Sequence, residues 1–168
     1  VPYDTPWEEL RARNPSALIF SGGPESTLTP GAPDVDDAML TSGVPIFGIC
    51  YGMQLLARKL GAELVKLEQA EYGPARLASV ADDDLFAGVE PGARVWMSHG
   101  DSVRALPQGF TALASTERCA VASMGDAARK IYGVQFHPEV AHTECGRALL
   151  HNFLRGVAGI AGEWKMTS

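Results

Sequence analysis

One pentapeptide constrains this chain more than any other stretch: Gly48-Ile49-Cys50-Tyr51-Gly52. Before it runs Val44-Pro45-Ile46-Phe47, a short apolar run that predicts a buried strand. After it, Met53 to Leu60 carries apolar residues at helical spacing and stops at Gly61. Cys50 therefore falls at a tight turn between a strand and a helix, in the thiol form of the nucleophile elbow. A side chain at either flanking glycine would collide with the neighbouring strand or helix. The turn is expected to lift the sulfur clear of the sheet. Free N–H groups at the helix start are expected to favour the thiolate, lowering a thiol pKa from about 8.5. Taken alone, the pentapeptide fits a structural cysteine between two packing glycines equally well. The rest of the chain decides.

A chain of 168 residues, 46% of them apolar, is long enough for one domain with a core. Its net charge of -6 argues against nucleic acid or an anionic membrane as the main partner. No apolar stretch approaches the roughly 20 residues that a membrane-spanning helix needs. Three cysteines, Cys50, Cys119 and Cys145, give an odd count without paired spacing. That fits a reducing cytoplasm, not a disulfide framework.

In chain order, Val1-Pro2-Tyr3 reads as the tail of a strand. Thr5-Pro6-Trp7-Glu8 reads as a capping box opening a helix to about Arg13. Ala17–Phe20 predicts a second buried strand, followed by the glycine-rich loop Ser21–Ser26. A loop at the end of a buried parallel strand is where α/β proteins place their sites. Asp34–Ser42 predicts a helix. From Ala62 the texture changes to short segments at Ala62–Lys66, Arg76–Val80, Arg94–Met97, Thr111–Ser115 and Ala120–Met124. These read as mostly antiparallel strands beside a parallel core. Ser98-His99-Gly100-Asp101 reads as a second polar loop, and Glu71-Tyr72-Gly73 as another. A strand over Ile131–Phe136 leads into His137-Pro138-Glu139. Thr143 would cap a last helix over about Glu144–Val157.

Pro138 blocks helix and holds His137 and Glu139 extended, so the two side chains point to one side. The carboxylate can then fix the tautomer of the imidazole, which is the base-and-orienter half of a catalytic triad. Alone, His-Pro-Glu reads better as a surface turn. Jointly with an elbow cysteine, the pattern favours Cys50, His137 and Glu139 as nucleophile, base and orienter. His99 competes as a base: it sits between Ser98 and Gly100, and Asp101 follows that glycine. His142 and Cys145, three apart, offer too few ligands for zinc. Cys119 reads as inert, and His151 as a packing or surface residue.

Three motifs in this order, Ser21-Gly22-Gly23-Pro24, Gly48-Ile49-Cys50-Tyr51-Gly52-Met53-Gln54 and Gly133-Val134-Gln135-Phe136-His137-Pro138-Glu139, resemble the class I glutamine amidotransferases. The stretches Met97–Asp101, Glu71-Tyr72-Gly73 and His137–Val140 through His142-Thr143 to Asn152-Phe153 resemble the branch of that family that serves GMP synthesis. The resemblance implies a flavodoxin-like α/β fold: a mostly parallel central sheet flanked by helices, with an additional antiparallel strand region.

It also implies roles. Cys50 attacks the side-chain amide of glutamine, His137 shuttles the proton, and Glu139 orients His137. Backbone N–H groups of Gly23 and Tyr51 form the oxyanion hole. Gln54 faces the substrate, and backbone atoms of Ser98, Gly100 and Asp101 hold its amino-acid end. No metal or organic cofactor is implied on this domain. ATP and Mg belong to a separate ATP pyrophosphatase domain, where xanthosine monophosphate becomes GMP, in a full-length homodimer. The resemblance divides the chain into an amidotransferase domain over 1–160 and, over 161–168, the start of a linker to that domain. Family members carry a strand and helix before the equivalent of Val1. Without them, unpaired backbone rows are expected in the middle of the core, so that residues 1–168 alone would not form a well-folded, active monomer.

Rival readings share much of this pattern. An amidotransferase for anthranilate, carbamoyl phosphate or CTP synthesis has the triad without the Ser98–Asp101 stretch. A free-standing γ-glutamyl cysteine hydrolase would be fully active by itself. A non-catalytic binding module would not need Cys50, His137 and Glu139 intact.

Overall fold

The computed structural model describes residues 1–162. The expected linker over 161–168 falls largely outside the described residues. The elements are α1 (Trp7–Ala12), β1 (Leu18–Phe20), β2 (Ile46–Ile49), α2 (Tyr51–Lys59), β3 (Glu63–Val80), β4 (Arg94–Ala105), β5 (Thr111–Thr116), β6 (Ser123–Asp126), β7 (Ile131–Val134) and α3 (Gly146–His151). Seven strands form one sheet in the order β1-β2-β7-β6-β5-β3-β4. The first three are mutually parallel. The others pair antiparallel, as expected of an α/β fold with an added antiparallel region.

Every residue of β2 and β7 is buried. Runs without polar alternation fit strands covered on both faces. Phe47 of β2 stacks on Phe153 at 5.1 Å between ring centroids, tying the sheet to the last helical segment. On the other face α2 buries Met53, Leu56 and Ala57. Its last turn carries Arg58 and Lys59, which suit the negative end of a helix. Lys59 also pairs with Asp34 at 2.7 Å and Asp37 at 2.6 Å.

Several local expectations give way. Val1–Tyr3 is not a strand. The Thr5 hydroxyl donates to the Pro2 carbonyl, and the start of α1 is held instead by Asp36, whose Oδ2 accepts from Trp7 N at 2.9 Å. Asp34–Ser42 contains only a single 3-10 turn, Asp37–Met39. Its aspartates accept from nearby backbone amides at Val35 and Ala38, and such local bonds compete with a helix. β3 is one strand of 18 residues, not two short ones. It takes in Glu71-Tyr72-Gly73, and β4 takes in Ser98–Asp101, so neither stretch is a loop. Glu71 pairs with His99 and Tyr72 with Ser98 across the two strands. The last helix is split: α3 passes into a π-helical segment, Asn152–Val157.

The sheet has no break in the middle of the core. Leu18–Phe20 pairs with Ile46–Gly48, and Ile46–Ile49 with Ile131–Val134. The unpaired row lies instead on the outer edge of β1, beside an apolar hollow of about 460 Å³ lined in part by Leu10, Ile19, Phe20 and Leu55. Among the described residues no helix is long and apolar enough to cross a membrane.

Candidate active site

The elbow forms because two glycines admit backbone where no other residue fits. A Cβ on Gly52 would lie 2.1 Å from the carbonyl oxygen of Phe20. One on Gly48 would lie 2.6 Å from the Met53 amide nitrogen. Between them Cys50 takes φ 52 and ψ -106, a strained conformation for a residue with a side chain. It is pinned there by its amide, which donates to Val134 O at 2.8 Å. Because β2 and β7 are adjacent and parallel, the ends of both strands reach the same place. β2 delivers Cys50, and β7 delivers Gln135 and, two residues on, His137.

The sulfur is not lifted clear of the protein. Cys50 is 4% exposed, and its thiol donates to the Ser98 carbonyl at 3.4 Å. Nor does the helix start hold it as thiolate. Burial pushes the thiol up to about 11, against smaller downward effects of the Tyr51 amide and the Gln135 side chain; the Glu139 charge adds to the rise. Losing water outweighs the partial charges of one short helix. The resting thiol is neutral, so any nucleophilic role for it would need a base.

His137 has the setting of one. Its Nδ1 meets Glu139 Oε1 at 2.6 Å, which fixes the proton on Nδ1 and leaves Nε2 free to accept. The segment is held by backbone and by a side chain. His137 N donates to Trp96 O at 3.0 Å, and the Thr143 hydroxyl donates to His137 O at 2.6 Å. Thr143 thus serves His137 and not the start of α3, whose N-cap is Cys145. Gly22 lies between His137 and Cys50. A Cβ there would stand 3.0 Å from His137 Cε1 and 3.7 Å from Cys50 Cβ.

A cavity of about 260 Å³ opens on the sulfur, lined among others by Gly23, Glu25, Tyr51, Gln54, Tyr72 and Ser98. The Gly23 amide has no hydrogen-bond partner among the described residues. Gln54 is buried, and its Nε2 donates to Asp101 O at 2.9 Å and to Gln135 Oε1 at 3.0 Å. Ser98 and Gly100 face the cavity. The Asp101 carbonyl is already occupied by Gln54 and by His99 Nδ1, and its carboxylate accepts from the Ser26 hydroxyl.

His99 does have a carboxylate. Glu71 meets its Nε2 at 2.9 Å, with both side chains buried. Sequence reasoning missed this pair because 28 residues and a strand register separate its members. In the sequence, Gln135 and Gly22 stand inside the motifs without a role of their own, Thr143 reads as a helix cap, and Ser26 as the end of the glycine-rich loop. The His142 ring lies 4.6 Å from the Trp96 ring between centroids, tilted by 44°, and Cys119 contacts the Ser102 hydroxyl at 3.8 Å.

Against this geometry stand the comparisons with known proteins. The profile of the class-I glutamine amidotransferase family matches residues 1–157, and the chain belongs to that family. It is 52% identical, over 95% of its length, to the glutamine-hydrolysing GMP synthase of Oleidesulfovibrio alaskensis. It is 48% identical, over 99% of its length, to that of Caldicellulosiruptor saccharolyticus. The chain spans 31% and 33% of those two proteins, about a third of each. Among solved structures it is similar to a Thermoplasma acidophilum protein described as one subunit of a GMP synthase. That match has a TM-score of 0.77 and 34% identity, and covers 95% of this chain and 79% of the other.

Proposed function

We propose that this chain hydrolyses glutamine through a Cys50 thioester and supplies the ammonia to an ATP-dependent conversion of xanthosine monophosphate to GMP. The observation that carries the reading is the convergence, at the ends of adjacent parallel strands, of a buried thiol with an imidazole oriented by Glu139. His137 Nε2 takes the thiol proton as sulfur attacks the side-chain amide carbon of glutamine. The tetrahedral oxyanion is received by the amides of Gly23 and Tyr51. His137 returns the proton to the leaving ammonia, and the γ-glutamyl thioester is then opened by water activated at the same imidazole. Gln54, Ser98, Gly100 and Asp101 shape the cavity for the amino-acid end of the substrate, Asp101 by bracing its neighbours. This half-reaction uses no metal or cofactor, whereas ATP and Mg act on the synthetase part.

Relatives 45–52% identical to this chain are GMP synthases, which favours GMP over anthranilate, carbamoyl phosphate or CTP as the acceptor pathway. The ATP pyrophosphatase domain is the partner that such a role requires. The dimer of the complete protein rests on the family resemblance. Unpaired cysteines fit the cytoplasm. The test joins this chain to the ATP pyrophosphatase domain of its own protein and measures GMP formation. Glutamine should support it. If only free ammonia does, while glutamine is still hydrolysed, the assignment fails.

A further inference from the structure

A chain of buried hydrogen bonds ends on the Cys50 sulfur, and its direction can be read from the one member that cannot change roles. The backbone carbonyl of Asp101 can only accept. Gln54 reaches it at 2.9 Å, so the amide nitrogen of Gln54 must face it. The second proton on that nitrogen points to Gln135 at 3.0 Å, so the facing atom of Gln135 is its oxygen. The remaining atom, Gln135 Nε2, is therefore the one that lies 3.7 Å from Cys50 Sγ. Gln135 is fully buried, and its own amide is tied to Ala122 O at 2.8 Å. The far end is equally fixed. His99 Nδ1 donates to the same Asp101 carbonyl at 2.8 Å while Nε2 meets Glu71 at 2.9 Å. Because the Asp101 carbonyl can only accept, His99 Nδ1 stays a donor, while Nε2 faces the Glu71 carboxylate.

A neutral thiol is a weak acceptor and already has a use for its proton at Ser98. The situation reverses when the proton leaves. The sulfur becomes a strong acceptor, and the Ser98 carbonyl then presents lone pairs to a negative charge. Among the described side chains, the Gln135 amide is the donor in contact with the sulfur.

We propose that Gln135 is a further catalytic residue: its side-chain amide donates to the Cys50 sulfur and stabilises the thiolate formed as His137 takes the proton. This rests on Cys50 being the nucleophile. The proton passes from Sγ to His137 Nε2, the imidazolium is balanced by Glu139, and no bond to Gln135 is made or broken. The other titratable groups around the sulfur are His137 and Glu139 beyond β7, Asp101 and His99 on β4, Glu71 and Tyr72 on β3, Tyr51 at the start of α2, and Glu25 in the loop after β1.

The test leaves all of those in place. In the complete native protein, Gln135→Met keeps the buried volume and removes the donor. Gln135→Glu can still accept from Gln54 but sets a carboxylate toward the sulfur. The pH profile of Cys50 alkylation by iodoacetamide is read without glutamine, with peptide mass spectrometry to separate Cys50 from other cysteines. Losing a hydrogen bond to a charged sulfur should raise the midpoint by about one pH unit or more in Gln135→Met, and further in Gln135→Glu. The kcat for glutamine hydrolysis should fall roughly tenfold to a hundredfold with KM little changed. A packing role would lower the melting temperature and leave the midpoint alone, and an unmoved midpoint in folded Gln135→Met overturns the proposal. Should neither variant fold, the unmutated protein decides. Converting Cys50 to its S-methyl disulfide must move the Gln135 side-chain amide resonances, and unmoved resonances overturn the proposal. A parent protein that hydrolyses glutamine while Gln135→Met keeps its midpoint refutes the donor role alone. One whose Cys50 midpoint moves as expected, but which hydrolyses no glutamine, refutes the proposed function and supports the donor role.

Discussion

Thr143 reaches back to hold His137: its hydroxyl donates to the His137 carbonyl at 2.6 Å while accepting from the Trp96 amide at 3.0 Å. The hydroxyl is the only link in that position able to both donate and accept, so valine cannot replace it. Thr143→Val should cost about 1–3 kcal/mol of stability, because the partners of a buried hydroxyl are left unpaired. It should also lower kcat more than it raises KM, since it loosens the base and not the substrate cavity. Thr143→Ser should restore both. Urea unfolding and steady-state glutaminase kinetics check this, and a valine variant with unchanged kcat would refute it.

Cys50→Ala should abolish glutamine hydrolysis without unfolding the protein. Losing the covalent route should exceed the ~10²–10³-fold cost of losing one oxyanion donor. The same position carries backbone strain, at φ 52. Cys50→Gly should therefore be more stable than Cys50→Ala by about 1 kcal/mol. Paired denaturation curves and activity assays decide both points. An alanine variant within about tenfold of the parent rate would end the nucleophile assignment.

The elbow glycines should be intolerant in a graded way. Gly52→Ala sets a methyl 2.1 Å from Phe20 O, a backbone atom that cannot rotate away. It should lose several kcal/mol or fail to fold. Gly22→Ala meets the imidazole of His137 at 3.0 Å, a side chain that can yield. It should stay folded and lose activity. Circular dichroism and kinetics on the two variants would show the split, and a well-folded Gly52→Ala would contradict it.

Alkaline pH should unfold this protein through its thiols. Burial pushes Cys50, Cys119 and Cys145 each up to about 11, and Tyr132 to about 12. In the unfolded chain a thiol titrates near ~8.5. The unfolded state therefore loses protons first as pH rises. The stabilising difference is intact below about pH 8.5 and is lost as pH climbs through the folded values. The urea midpoint should hold steady up to that point and then fall toward pH 10.5. Cys119→Ala should flatten the fall, and a flat profile in the parent protein would refute the account.

What could be read from sequence was what depends on near neighbours. Gly48 and Gly52 are demanded by a turn a few residues long, and His137 with Glu139 by one proline between them. β2 and α2 followed from apolar spacing. The middles of β3 and β4 were illegible because their inward residues are Glu71 and His99. A strand whose buried face is a hydrogen-bonded polar pair has no hydrophobic alternation to detect. The cap on α1 was misread for a related reason: Asp36, 29 residues away, supplies what Thr5 was expected to supply. The thiol's protonation was misread because local pattern reveals the helix start behind Cys50 but not the depth of its burial.

Trp96 and Ser98 lie two residues apart on β4. The carbonyl of the first accepts from the His137 amide, and the carbonyl of the second accepts from the Cys50 thiol. The two reacting side chains come from different strands yet are gauged against one ruler, with marks about 6.8 Å apart set by covalent geometry. A rigid slide of β4 carries both marks together and preserves their spacing. Fraying of β4 from β3 would erase both at once. If the proposed function holds, loosening that hairpin should switch hydrolysis off by releasing His137 and Cys50 from their shared reference on β4.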